Sequence, residues 1–152
     1  MITTRKSEIK DLPLLRLFAE GFATESARYQ HLGVNVDKVV TLLERFTKDD
    51  TDGVVLIAES NGNVLGGFVG AISEEWQSDR SVAFDLINYV MPEARSLGVG
   101  KELAKAFVEW GKAKGAGIIQ CGTATGVNTD HAVELYSSLG FTEQGKFLEL
   151  RV

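Results

Sequence analysis

Cysteine is almost absent from this chain. Cys121 is the only one in 152 residues, which excludes an internal disulfide and fits a reducing compartment. Histidine is scarce as well. His31 and His131, even with Cys121, are too few for a convincing metal site, so no metal is expected. No run approaches the roughly 18 apolar residues of a membrane-spanning helix, so no membrane association is expected. Near Met1, Arg5 and Lys6 lead into polar sequence instead of the apolar stretch of a secretory leader. These absences predict a cytoplasmic protein. Cations are outnumbered: 16 Lys and Arg stand against 21 Asp and Glu, for a net charge of −5. That balance argues against the basic surface that non-specific nucleic-acid binding needs. There is no Gly-x-Ser-x-Gly elbow, so serine-hydrolase chemistry has no support. Repeats, low-complexity tracts and Pro/Gly-rich linkers are missing too, which predicts one domain over residues 1–152.

What is present is an ordinary globular composition, 44% apolar and 24% charged. Asp11 can cap a helix running to about Gly21, with Leu14, Leu15, Phe18 and Phe22 as its apolar face. Asn35 can cap a second helix, along which Val36, Val39, Val40, Leu43 and Phe46 keep helical spacing. Val54 to Ser60 and Val64 to Ser73 read as strands, and Asn61-Gly62 between them is a hairpin signal. Val82 to Val90 is a third strand, followed by a turn at Met91-Pro92-Glu93. The next helix starts near Gly98, carries Val99, Leu103, Phe107 and Trp110 on one stripe, and ends at Lys114-Gly115. Gly117 to Thr123 reads as a strand and Asp130 to Leu139 as a helix closed by Gly140. A last strand pair is expected from Phe141 onward, with Gln144-Gly145 as its turn. The unit from Val82 to Thr123 is a strand–helix–strand crossover and predicts a parallel pair; the other pairs should be antiparallel. The fold class is therefore α/β (α+β), a mixed sheet with helices on both faces.

Arg95-Ser96-Leu97-Gly98-Val99-Gly100 lies between the third strand and its helix. Glycine lets backbone approach a ligand, and the first N–H groups of a helix lack internal partners and favour negative charge. A diphosphate suits such a place. Arg95, Lys101 and Lys105 concentrate cations in and just after the loop. Taken alone, the hexapeptide is equally a strand-to-helix turn that contains two glycines. Two rival phosphate motifs fail. A dinucleotide fingerprint needs a third glycine where Leu103 stands, and a P-loop needs Ser or Thr where Glu102 stands.

Arg95-x-x-Gly98-x-Gly100 resembles the Arg/Gln-x-x-Gly-x-Gly/Ala signature of the GNAT N-acetyltransferase superfamily. Val90-Met91-Pro92-Glu93 is similar to the segment that often precedes it. Ala132, Leu135-Tyr136 and Leu139-Gly140-Phe141 resemble the family's later block, and the element order matches over nearly the whole chain. The resemblance implies a mostly antiparallel sheet of about six to seven strands with a V-shaped cofactor cleft. It implies acetyl-CoA as co-substrate, with the diphosphate on the N–H groups of Leu97 to Lys101. The pantetheine arm would pair with backbone near Tyr89, Val90 and Met91, and Arg95 would support the loop or approach a phosphate. Ser96, Gly98, Val99 and Gly100 complete the cofactor loop. Tyr136 resembles the family's general acid. A phenol near pKa 10 can protonate a departing thiolate near 8.5 at modest cost. The oxyanion would meet backbone N–H near Val90 or Met91.

Asp85 is the acid on the central strand and a candidate general base, the alternative being a water chain. An aspartate among Val, Phe, Leu and Ile opposes strand propensity. Simple alternation groups Asp85 with Ile87 and Tyr89, opposite Phe84, Leu86 and Asn88. Many members carry an asparagine three residues before the block's alanine. Here Asn128 lies one position earlier and Thr129 holds that place, so Asn128 is a candidate cofactor contact from the loop. Glu25 to His31 falls where members build the acceptor side, making Arg28, Tyr29 and His31 candidates for its lining. The implied activity is direct acetyl transfer to the primary amine of a small-molecule or peptide acceptor. A non-catalytic acetyl-CoA-binding or interaction module of the same fold is the alternative. The acidic balance favours a cationic acceptor. Dimers are common in the family, so a homodimer is one expectation.

Overall fold

The computed structural model describes residues 1–152. A polar edge strand, β1 (Thr3–Lys6), leads through a single 3-10 turn into three helices, α1 (Leu12–Glu25), α2 (Ala27–Leu32) and α3 (Val36–Lys48). The meander follows as β2 (Gly53–Ser60), β3 (Asn63–Glu74) and β4 (Ser81–Val90). A second 3-10 turn (Pro92–Ala94) precedes α4 (Val99–Ala113), β5 (Ile118–Gln120) and α5 (Thr129–Ser138). No helix is long and apolar enough to cross a membrane.

One five-stranded sheet runs in the order β1-β2-β3-β4-β5. The first three pairings are antiparallel, and β4 with β5 is parallel across the α4 crossover. The hairpin forms where Asn61-Gly62 marks it, with both residues at positive φ (50° and 77°). Two cores lie on opposite faces. Leu15, Phe18 and Phe22 of α1 and Leu43 and Phe46 of α3 pack on Val55, Ile57, Val69 and Tyr89. On the other face Val99, Leu103, Phe107 and Trp110 of α4 pack on Val54, Leu56, Phe68 and Ala83. β2 is thus buried on both faces, which its unbroken Val-Val-Leu-Ile-Ala run requires.

Several elements depart from the sequence reading. Thr3-Thr4-Arg5-Lys6 forms an unforeseen strand; an edge strand has one pairing side, and polar residues with charge suit it. Asp11 does not cap α1. Its carboxylate turns back to the Glu8 N–H (2.7 Å) and to Arg5 (2.8 Å), and α1 opens on Pro13. α1 runs past Gly21 to Glu25, and the polar segment after it is helical because the Ser26 side chain accepts the Tyr29 N–H. Asn35 caps α3 as expected, accepting the Lys38 N–H at 3.1 Å.

The sheet has five strands, fewer than the six to seven expected, because residues from Phe141 onward add none. β5 is only three residues long, too short to template a neighbour. The tail is drawn elsewhere. Glu149 pairs with Arg28 at 2.6 Å and the Val152 carbonyl meets His31 Nε2 at 3.1 Å.

Candidate active site

Two features of β4 shape the site. The first is where its pairing with β5 stops, at Phe84↔Gln120. From Asp85 to Val90 that edge has no neighbouring strand, and the sheet opens into a V. The second is a bulge. Val69 pairs with Ile87 and Gly70 with Asp85, leaving Leu86 unmatched. The extra residue reverses the alternation read from the sequence. Ile87 and Tyr89 face α1 and α3, whereas Asp85 faces α4 with its partner Gly70, on whose side the Phe107 ring lies. Asp85 is therefore opposite Ile87 and Tyr89, not beside them. Its Oδ1 accepts the Gly122 N–H at 3.0 Å, bridging the two lips just beyond the last paired rung. Burial pushes its carboxyl up to about 6, against that hydrogen bond.

The open edge also decides which backbone groups are available. The Met91 N–H is taken by the Leu65 carbonyl at 2.9 Å, so of the two expected oxyanion donors Met91 is excluded. Antiparallel alternation turns the N–H of Val90 to the open side. The Val90 carbonyl accepts from Arg95 Nε at 2.9 Å.

Beyond Val90 the 3-10 turn delivers the chain to the glycine loop. The Leu97 N–H bonds to the Ala94 carbonyl at 3.1 Å and is lost to the cradle expected from the sequence. The N–H groups of Gly98, Val99, Gly100 and Lys101 donate to no backbone carbonyl, the first bond of α4 being Glu102 N–H to Gly98 O at 3.2 Å. Gly98 sits at φ 80°, the left-handed region, and a side chain there would project into open space. Gly100 is needed for a different reason. A Cβ would lie 3.3 Å from Leu135 and 3.6 Å from Asn88, where α4, α5 and β4 converge. Open space over four unpaired donors at a helix start fits a diphosphate. The side chains of Ser96 and Leu97 are exposed, and Lys101 has no ion-pair partner.

Arg95 does not reach into the cradle. Its guanidinium chelates Glu25 at 2.8 Å to both oxygens and lies 5.5 Å from the centre of the Tyr89 ring. It ties the glycine loop to the end of α1. The Tyr89 ring is core, 5.2 Å from Phe18, and alternation turns its own N–H and carbonyl toward Gly67 of β3, so of the three expected backbone positions Val90 is the one that faces the open edge.

Across the V, α5 presents Tyr136, buried and 5.6 Å from the Phe141 ring. Its hydroxyl lies among Cys121, Asp85 and Asn88. Burial holds the phenol well above its ordinary value, with Cys121 and Asp85 adding to the shift, so the hydroxyl keeps its proton at neutral pH. Burial likewise pushes the Cys121 thiol up. Asn88 was not singled out by the sequence. Its Nδ2 donates to the Gly100 carbonyl at 3.1 Å, and its buried Oδ1 has no partner. An asparagine within a strand is the one signal that could have marked it. Asn128 precedes α5 in the left-handed region (φ 49°), is exposed, and forms no cap bond.

Of the three acceptor-side candidates, Arg28 and His31 hold the C-terminal tail. Tyr29 alone lines a cavity of about 320 Å³ between α1, α2, α3 and β4, reaching Leu86 at the bulge. Ser26, at the α1–α2 junction, is fully buried and donates to the Thr125 carbonyl at 3.0 Å. With Glu25 it joins α1 to both lips of the V, which no sequence pattern announced.

Comparison with known proteins agrees with this geometry. No curated protein sequence matches. Among solved structures, the aminoglycoside N-acetyltransferase AAC(6')-Iy, in complex with a CoA-containing bisubstrate analogue, superposes with a TM-score of 0.78 at 21% identity. The match covers 100% of this chain and 98% of that one. An aminoglycoside acetyltransferase from an uncultured soil metagenomic sample gives 0.73 at 20% identity, over 100% and 99%. A protein described as a transcriptional regulator from Bacillus halodurans gives 0.75 at 19%, covering 100% of both chains. At such identities these neighbours share the fold and no more. The model of the acetyltransferase (GNAT) family matches residues 18–141, which span the bulged strand, the glycine loop and Tyr136, and the chain belongs to that family.

Proposed function

We propose that this protein transfers the acetyl group of acetyl-CoA directly to the nitrogen of an amine. One observation carries the reading. The V between β4 and β5 has an unpaired N–H cradle at its outer end and a protonated, buried Tyr136 hydroxyl beside its inner end.

Gly98 to Lys101 would hold the diphosphate, with Lys101 adjacent, and the open edge of Val90 would pair with the pantetheine arm. In the transfer, the amine nitrogen bonds to the acetyl carbon, the carbon–sulfur bond breaks, and the amine loses a proton. The Val90 N–H is available to the carbonyl oxygen, where negative charge grows. Tyr136 gives its proton to the leaving thiolate. Asn88 positions it, by pinning the first turn of α4 to β4 while lying against the phenol.

Asp85 takes no proton-transfer step in this reading. It shares the Tyr136 side of the sheet, and its negative charge disfavours a phenolate. The amine comes from the cavity on the other face, so its proton passes to water. Exposed Asn128 stands at the start of α5, within the same lip of the cleft.

The measurement is release of the CoA thiol in the presence of an amine panel. Tyr136→Phe is expected to lower turnover on the order of 10²-fold, with acetyl-CoA affinity by calorimetry unchanged. Unchanged turnover would remove Tyr136 from the mechanism. Tight acetyl-CoA binding without turnover on any amine would make the domain a binding module instead.

A further inference from the structure

We propose that the acceptor is a monoamine with a single uncharged apolar body (an arylalkyl or alkyl amine), seated in the cavity between α1, α3 and the bulge of β4. The proposal rests on the acetyl-transfer reading above and names the substrate class for the same site.

The cavity is the right size and in the right place. At about 320 Å³ it lies at the lower end of small-molecule sites. An apolar cavity of about 150 Å³ already takes up benzene, so this one holds a ring with a short alkyl arm. Leu86, the unmatched bulge residue, is 38% exposed and lines the cavity where β4 leaves β5. An amine at that mouth reaches the open edge of β4 while its body extends inward, past Tyr29 toward Phe18 and Leu42.

The wall also says what does not fit. Lys38 is its only charged side chain, and it contains no carboxylate. Three acids around it are engaged: Glu25 with Arg95 at 2.8 Å, Asp37 with Arg16 at 2.7 Å, and Glu149 with Arg28 at 2.6 Å. A polyamine or aminoglycoside would bring further ammonium groups against apolar surface and one lysine. Unpaired buried charge is strongly disfavoured. For a monoamine the same wall is an advantage. Desolvation favours the neutral form of its nitrogen, which is the form that attacks. The absence of a side-chain base facing this cavity is then no obstacle.

The test uses the full chain with saturating acetyl-CoA and follows thiol release. Phenethylamine and hexylamine are compared with spermidine and neamine. The expected result is a kcat/KM for phenethylamine at least about 10²-fold above that for spermidine or neamine. Ala19→Phe, which fills the cavity from α1, should raise KM for phenethylamine with acetyl-CoA affinity unchanged. Lys38→Glu should narrow the gap between phenethylamine and spermidine, and keeps the test open if Ala19→Phe fails to fold. Preference for spermidine or neamine would overturn the apolar acceptor and leave acetyl transfer standing. No acetylation of any amine, with acetyl-CoA still bound by calorimetry, would overturn both readings.

Discussion

Asp85 and Tyr136 are two acids in one buried neighbourhood, and at neutral pH they differ in protonation. Tyr136 is held protonated by burial and by the charges around it. Asp85 is raised from 3.8 to about 6, so at neutral pH it is ionised. The folded state keeps the Asp85 proton where the unfolded chain has already released it. Its contribution to stability therefore declines as pH rises from about 4 to about 6, and the loss persists above that window. Asp85→Asn keeps an oxygen for the Gly122 N–H and removes the titration. Its Tm relative to the parent should rise through the same window, measured by thermal unfolding at a series of pH values. The rate carries the second half of the prediction. Because Asp85 faces away from the proposed acceptor cavity, the pH–rate profiles of parent and Asp85→Asn should coincide below neutrality. An acid limb near pH 6 in the parent alone would restore Asp85 as the general base. The sequence could mark Asp85 as out of place in an apolar strand. It could not reveal the face, because one unmatched residue, Leu86, inverts the alternation and bulges leave no fixed pattern.

The element that completes the cleft is the junction of α1 and α2. Its two consecutive residues reach opposite lips: Glu25 holds Arg95 of the glycine loop, and Ser26 holds the Thr125 carbonyl before α5. Ser26 also caps α2 through the Tyr29 N–H at 3.4 Å. Ser26→Ala removes the cap and leaves a carbonyl without its donor, a loss of about 1–2 kcal/mol in stability. Chemical denaturation should show that loss, and the acceptor KM should rise because Tyr29 loses its fixed place on the cavity wall. An effect on stability alone would make the junction a fold element without bearing on the acceptor. Here the sequence was informative about helix starts and poor about their company. Asn35 was legible because a cap acts on its own next turn. The bond from Ser26 to Thr125 spans residues 99 positions apart and depends on packing that no local pattern encodes. Strand β1 was missed for a related reason: as an edge strand it buries no continuous apolar face, so its four residues carry no alternation to read.

At the scale of the whole molecule, the legible part of the candidate site was the part built from main chain. The glycine loop could be placed because Gly98 must adopt a conformation that other residues resist, and that constraint is written in the sequence. The proposed acceptor side could not, because it is the shape of a cavity assembled from α1, α2, α3 and β4. A formal charge of −5 describes the long-range field, while the cavity wall holds one lysine and no acid. The same division gives a test on folding itself. The proposed acetyl-CoA site exists only where β4, α4 and α5 are assembled, so a ligand held there stabilises the folded state by mass action. At a hundredfold excess over Kd the gain is about 2.7 kcal/mol, which in a domain of this size raises Tm by about 5–10 °C. Gly98→Trp should unfold slightly earlier without ligand, since a left-handed tryptophan costs about 1–2 kcal/mol. Its indole would also fill the space over the unpaired N–H groups, so the rise with acetyl-CoA should vanish. A Gly98→Trp protein that still gained the full increment would place the diphosphate somewhere other than on the first turn of α4.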